Sequence, residues 1–127
     1  VIVVDTSAIM AVLLSEPRAD EIIRCLSDND LCMSAGTLSE LMIVAAARGL
    51  ADELNDTLEA IGMEIANVDG AIAKGVQEAF LAWGKGRHPA SLNFGDCFAY
   101  ATAKSMAVPL LFVGDDFSQT DVGVALQ

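Results

Sequence analysis

A chain of 127 residues with 54% hydrophobic content is long enough to bury an ordinary core without disulfides or a structural metal. Its net charge of −11 argues against tight, non-specific nucleic-acid binding by the chain alone, because phosphate binding uses a basic face. The acidity suits instead a solubilising surface, a cation-binding pocket or a basic protein partner.

The opening run Val1 to Val4 reads as a strand and delivers Asp5. Asp5-Thr6-Ser7 then supplies cap chemistry for a helix over roughly 7–14, and Pro17 restarts the chain into a second helix at about 18–27. Asp28-Asn29-Asp30 is a turn, followed by a strand at 31–33 and a turn and cap from Ser34 to Thr37. The next helix, about 37–48, is apolar nearly all round (Leu38, Leu41, Met42, Ile43, Val44), the pattern of a buried helix. Gly49 ends it. A helix at about 51–61 leads through Gly62 to a short strand at 64–67, and Asp69 caps a helix of about 70–83. A Gly-, Lys- and Arg-containing loop fills 84–92. A helix over 94–106 then feeds a strand at 110–113, and a last short strand near 122–125 closes one edge.

Strand and helix alternate without a repeat, low-complexity tract or linker. The expected fold is a single α/β domain over 1–127, three-layered α/β/α, with a mostly parallel sheet of about five strands. No apolar run approaches the ~20 residues that cross a bilayer, and no secretory signal opens the chain, so no membrane association is expected. Cys25, Cys32 and Cys97 are odd in number and lack CxxC spacing; they read as reduced core residues of a cytoplasmic protein.

In a parallel α/β sheet, ligands bind beyond the carboxyl ends of the strands, and the crossover helices begin at that edge. Asp5 follows the first strand, Glu40 lies early in the helix after the second, Asp96 opens the helix over 94–106, and Gly114-Asp115-Asp116 follows the 110–113 strand. All four positions are therefore expected at one edge, where carboxylates repel unless a cation joins them.

Each acid also has a purely structural role open to it. Asp5 can cap a helix, although Thr6 and Ser7 offer the same chemistry and leave its carboxylate spare. Glu40 lies on the helical wheel among Ile43, Val44 and Ala47, with no base nearer than Arg48, so a long-range salt bridge or a metal has to compensate its burial. Asn93 and Asp96 have the spacing of a capping box, and an acid in the first turn suits the helix dipole by ~0.3–1 kcal/mol. One oxygen suffices for that cap. Among Asp115, Asp116 and Asp121, at least one is an ordinary turn residue.

Such a cluster suits Mg²⁺ or Mn²⁺, which take oxygen ligands and keep waters free to be replaced by phosphate oxygens. A Ser-His-Asp site has little support, since the lone histidine, His88, precedes Pro89 in a loop and has no paired nucleophile. No Walker loop, GxGxxG, HExxH or paired-cysteine zinc spacing is present.

The motifs Val3-Val4-Asp5-Thr6-Ser7-Ala8, Ser39-Glu40, Leu92-Asn93-Phe94-Gly95-Asp96-Cys97-Phe98-Ala99-Tyr100 and Gly114-Asp115-Asp116-Phe117-Ser118-Gln119-Thr120-Asp121 occur in that order along the whole chain. In this the sequence resembles the PIN-domain ribonucleases, most closely the VapC-type toxins of bacterial toxin–antitoxin pairs. The resemblance implies an Mg²⁺-dependent endoribonuclease, with Mn²⁺ as a substitute, that hydrolyses RNA phosphodiester bonds. It further implies a homodimer inhibited by a cognate VapB-type antitoxin, whose basic or aromatic segment would lie against the acidic groove. Carried over by position, Asp5, Glu40, Asp96 and Asp116 form an acidic quartet serving as metal and catalytic residues. Asp5 and Asp96 are the direct ligands, and Thr6, Ser7, Asp115 and Asp121 are supporting residues. The basic cluster at Lys85 and Arg87 precedes the Asp96 helix and is either solvated loop charge or a phosphate contact.

Two other readings compete. A receiver-like phosphoacceptor domain would need a second acid beside position 5 and a lysine after a late strand, but Thr6 follows Asp5 and Lys104 is helical. A non-catalytic PIN-like interaction module is the alternative in another class, and it would show itself by missing acids.

Overall fold

The computed structural model describes residues 1–127. Strand β1 (Ile2–Val4) leads into α1 (Thr6–Leu13) and α2 (Ala19–Ser27); β2 (Leu31–Ser34) leads into α3 (Ala35–Ala47) and α4 (Ala51–Ile61). β3 (Glu64–Ala66) is followed by α5 (Gly70–Trp83) and α6 (Phe94–Met106), then β4 (Leu110–Leu111) and a single 3-10 turn, Phe117–Gln119. The sheet runs β3-β2-β1-β4 with every pair parallel: Ile2 lies beside Leu31, Val3 beside Leu110 and Met33 beside Ile65.

The pleat sorts the two cores. Val3, Cys32 and Leu110 point to one face, where they meet Val76 and Ala79 of α5 and Cys97, Tyr100 and Ala103 of α6. Ile2, Val4, Leu31, Met33 and Leu111 point to the other and pack on Ile9, Ile22, Leu26, Leu41 and Leu54 of the first four helices. The central strands are buried on both faces, as continuous apolar runs require. Full burial of each such aliphatic side chain contributes about 1.5–3 kcal/mol. The sheet edge that gathers Asp5, Ser34 and Val113 is therefore held from both sides.

Three expectations change. The sheet has four strands rather than five: residues near 122–125 make one bridge, Leu110 to Val124, with Leu110 N donating to Gly123 O at 2.9 Å and Ala125 N to Leu110 O at 3.0 Å. The ladder cannot extend backward, because Val108 N is already committed to Ala103 O at 3.1 Å where α6 ends. The 110–113 strand is correspondingly short, with only Leu110 and Leu111 in the ladder. Finally, α3 is not buried all round. Thr37, Leu41 and Ala45 are buried and Leu38 and Val44 half-buried against the same core, while Met42 is 51% and Ile43 71% exposed. The helix packs through that i, i+4, i+8 line and leaves its other apolar side uncovered. It also starts earlier than residue 37, because Ser34 itself accepts from Gly36 N at 3.1 Å and caps it.

All three cysteines are free. No helix is long and apolar enough to cross a membrane.

Candidate functional site

Asp5 stands one residue past β1 and is 3% exposed. Its amide continues the β1–β4 pairing by donating to Leu111 O at 2.9 Å. Its Oδ2 accepts from Ser7 N at 3.0 Å and from Ser7 Oγ at 2.7 Å. The capping of α1 thus falls to Asp5 itself, not to Thr6 or Ser7, because only Asp5 has the extended backbone that turns its side chain onto the first free amides. One oxygen does that work. The other, Oδ1, is buried with no hydrogen-bond partner. Burial pushes the Asp5 carboxyl above its ordinary value; the Ser7 hydrogen bonds oppose that rise and the Glu40 charge adds to it. Ser7 Oγ also accepts from Val113 N at 3.0 Å, so a single hydroxyl ties the ends of β1 and β4 together.

Glu40 reaches the same place from α3. Thr6 Oγ1 donates to its Oε1 at 2.8 Å, and no lysine or arginine pairs with it. The carboxylate is half-buried rather than enclosed, since its wheel neighbours Ile43 and Ala47 are exposed. Adjacent residues at the start of α1 therefore divide the work: Ser7 holds Asp5 and Thr6 holds Glu40.

Asp96 sits in the first turn of α6. Asn93 Oδ1 accepts from Asp96 N at 2.8 Å, and Asp96 Oδ2 accepts from Asn93 N at 3.0 Å, which completes a capping box and leaves Oδ1 without a protein donor. Burial raises the Asp96 carboxyl to about 6, against the opposing hydrogen bond from Asn93 and with added repulsion from Asp5, Asp116 and Glu40. Asp5, Asp116 and Glu40 thus lie within electrostatic reach of Asp96, and Glu40 within reach of Asp5. Asp116 is exposed and begins the turn over Phe117–Gln119.

That raised value, set mainly by burial, has a measurable consequence. In the metal-free folded protein Asp96 keeps its proton up to about pH 6, whereas the unfolded chain loses it near the ordinary 3.8. Between those values the folded state binds more protons, so this contribution to stability falls as pH rises and is absent above the window. With chelator present, the melting temperature of wild type relative to Asp96→Asn should decline from about pH 4 to about pH 6 and then level off. A difference that stays flat across that range would remove Asp96 from the acidic group.

Other expected site residues lie apart. Asp115 is exposed and only its carbonyl is engaged, by Ser118 Oγ at 2.7 Å. Asp121 accepts from Tyr100 OH and pairs with Lys104 Nζ at 3.2 Å; the Tyr100 hydrogen bond first, and then Lys104, hold its carboxyl low. Trp83 Nε1 in turn donates to Tyr100 OH at 3.0 Å. This relay faces the groove between α5 and α6, and no short motif in the sequence marks it. Lys85 and Arg87 are exposed on a turn fastened by Lys85 N to Leu92 O at 2.9 Å, without an ion pair, and neither contributes to the Asp96 shift.

The acids are neighbours but not a closed cage; no three of the acidic, histidine and cysteine side chains are drawn together as a ready-made ion site. The donor set nonetheless fits a hard divalent cation. Asp5 Oδ1 is a buried oxygen with no partner, the side-chain atoms around it are carboxylate and hydroxyl oxygens, and neutralising the carboxylates would relieve both the burial cost and the repulsion.

Comparison with known proteins identifies the family and the fold. A family model described as PIN domain matches residues 2–123. Ribonuclease VapC36 of Mycobacterium tuberculosis is 43% identical over 125 residues, an alignment covering 94% of this chain and 90% of that protein. Among solved structures, VapC20 of Mycobacterium tuberculosis, titled a sarcin-ricin loop cleaving toxin, superposes with a TM-score of 0.77 at 16% identity over 96% of each chain. A toxin–antitoxin complex from Klebsiella pneumoniae gives 0.71 at 20% identity over 95% of this chain and 93% of that one. At those identities the two structures speak to the fold.

Proposed function

The chain belongs to the PIN-domain family, among the VapC proteins, and we propose on that premise that it is an Mg²⁺-dependent endoribonuclease, the toxin of a VapBC-type pair. The observation that carries the metal requirement is the unpartnered, buried Asp5 Oδ1 beside three further acids. Mn²⁺ should substitute, since it accepts the same oxygen donors.

In this reading Asp5 and Asp96 would hold the ion, each having one carboxylate oxygen that its helix cap leaves free. Glu40 is aimed by Thr6, and Asp116 adds charge from the exposed side. When bound, the cation supplies activation of water and stabilisation of charge on the phosphoryl oxygens. The Ser7 bridge to Val113 keeps Asp5 at a fixed distance from the chain that carries Asp116, and the Asn93 box fixes the Asp96 carboxyl plane. Asp115 and Asp121 act from outside this group, Asp121 by anchoring the segment after Asp116 to α6.

The partners follow from charge and surface. A protein at −11 without a basic face gains RNA affinity through its metal and a few local cations, and its acidic groove suits a basic segment of a VapB-type antitoxin. The uncovered apolar side of α3 is the kind of surface that protein contacts cover, in keeping with a homodimer. The reduced thiols fit a cytoplasmic setting.

Purified chain incubated with structured RNA should cut it with Mg²⁺ or Mn²⁺ and stop on addition of chelator. Cutting that persists in chelator would sink the reading. Arg87 gives a separate check: if it holds phosphate, Arg87→Ala should raise KM and reduce the salt slope of RNA binding by about one charge. An unchanged salt titration returns Lys85 and Arg87 to ordinary loop charge.

A further inference from the structure

Helices α3 and α6 meet through two glycines, each receiving a side chain of the other helix. A Cβ on Gly36 of α3 would lie 2.5 Å from Cγ and 2.8 Å from Cε1 of Phe98. A Cβ on Gly95 of α6 would lie 2.6 Å from Cδ and 3.0 Å from Oε1 of Glu40, and closer still to Oε2. Nothing in the backbone at Gly95 demands glycine. It lies inside the first turn of α6, and the positive-φ glycines are Gly49, Gly62, Gly86 and Gly114. Alanine is the better helix former at such a position. What excludes it is the Glu40 carboxyl.

We propose that Gly95 is a positioning residue for Glu40: its missing side chain is the seat that lets the carboxylate stand between the Thr6 hydroxyl and the first turn of α6, beside Asp96. The site is two-sided. Thr6 Oγ1 holds Oε1 from α1 at 2.8 Å, and the bare Gly95 backbone admits the group from α6. Glu40 ends in a flexible carboxyl, so a methyl at Gly95 displaces that group rather than breaking the core. The fold survives, and the site loses one member. The consequence for metal binding rests on the ribonuclease reading; the displacement of Glu40 does not.

The test uses Gly95→Ala, Glu40→Ala and the double variant. Mn²⁺ titration should give Gly95→Ala an affinity lower by about tenfold or more, the loss typical when a supporting contact of a metal site is removed. Glu40→Ala should lose a similar factor, and the double variant no more than Glu40→Ala alone, because both changes remove the same interaction. In the metal-free state, with ¹³C-labelled glutamate, the Glu40 Cδ resonance should move in Gly95→Ala while the melting temperature stays near wild type. Wild-type Mn²⁺ affinity in Gly95→Ala, losses that multiply in the double variant, or an unmoved Glu40 resonance would each overturn the proposal. A wild type that takes up no Mn²⁺ overturns the metal-dependent reading instead, and the Glu40 resonance still decides for or against Gly95.

Discussion

Asp96→Asn should lower the rate of RNA cleavage at least about a hundredfold, which corresponds to about 2.7 kcal/mol of lost transition-state stabilisation. The variant is well suited to the question because asparagine keeps the shape of the side chain and can still accept from Asn93 N, so the start of α6 remains capped. What disappears is the charge and the oxygen that the cap leaves free, whose place an NH2 group takes. A variant that unfolds would be misleading, so its melting temperature has to be measured beside its rate. The expected pair of results is a near-normal melt and a collapsed rate. Retained activity would show that RNA is cut by groups other than these acids.

Asp5→Asn should raise the stability of the metal-free protein, by about 1 kcal/mol or about 2–6 °C in Tm for a domain of this size. Most active-site substitutions are tested for what they take away; here the buried charge itself is a burden. Asp5 is 3% exposed, one of its oxygens has no partner, and Glu40 repels it. Asparagine removes the charge and remains among the best N-cap residues, so the bond from Ser7 N is kept. Added Mg²⁺ or Mn²⁺ should raise the wild-type Tm by mass action and leave the variant nearly unmoved. Thermal melts of both proteins with and without divalent ion decide the matter. A variant that is destabilised, or that responds to metal as wild type does, would remove Asp5 from any ion site.

The sheet and the place of Asp5 at its carboxyl edge were legible in the sequence because both depend on short-range pattern. Apolar runs of three or four residues bounded by helices can hardly be anything but central parallel strands, and a residue just past such a run must lie at the carboxyl edge. The pairings across that edge were less accessible. The assignment of Ser7 to Asp5 and Thr6 to Glu40 depends on which way two adjacent side chains point from the first turn of α1. Asp121 looked like a neighbour of Asp116, yet Lys104 and Tyr100, from 17 and 21 residues away, hold it. The apolar circumference of α3 suggested full burial; in the fold Met42 and Ile43 stay exposed, and composition alone does not distinguish a covered face from an uncovered one. The fifth strand failed for a local reason, the engagement of Val108 N with the end of α6, that no hydropathy pattern expresses.

Asp5 and Asp96 each use one oxygen to close the start of a helix, and this makes helix fraying and site disassembly the same event. When the first turn of α1 or α6 opens, a carboxylate swings free with it; when a ligand fastens the carboxylate, the turn is pinned. Amide hydrogen exchange at Ser7 in the first turn of α1, and at Asn93, whose N–H the Asp96 carboxylate caps, should therefore slow when the site is filled, while the amides of α4, remote from the edge, keep their pace.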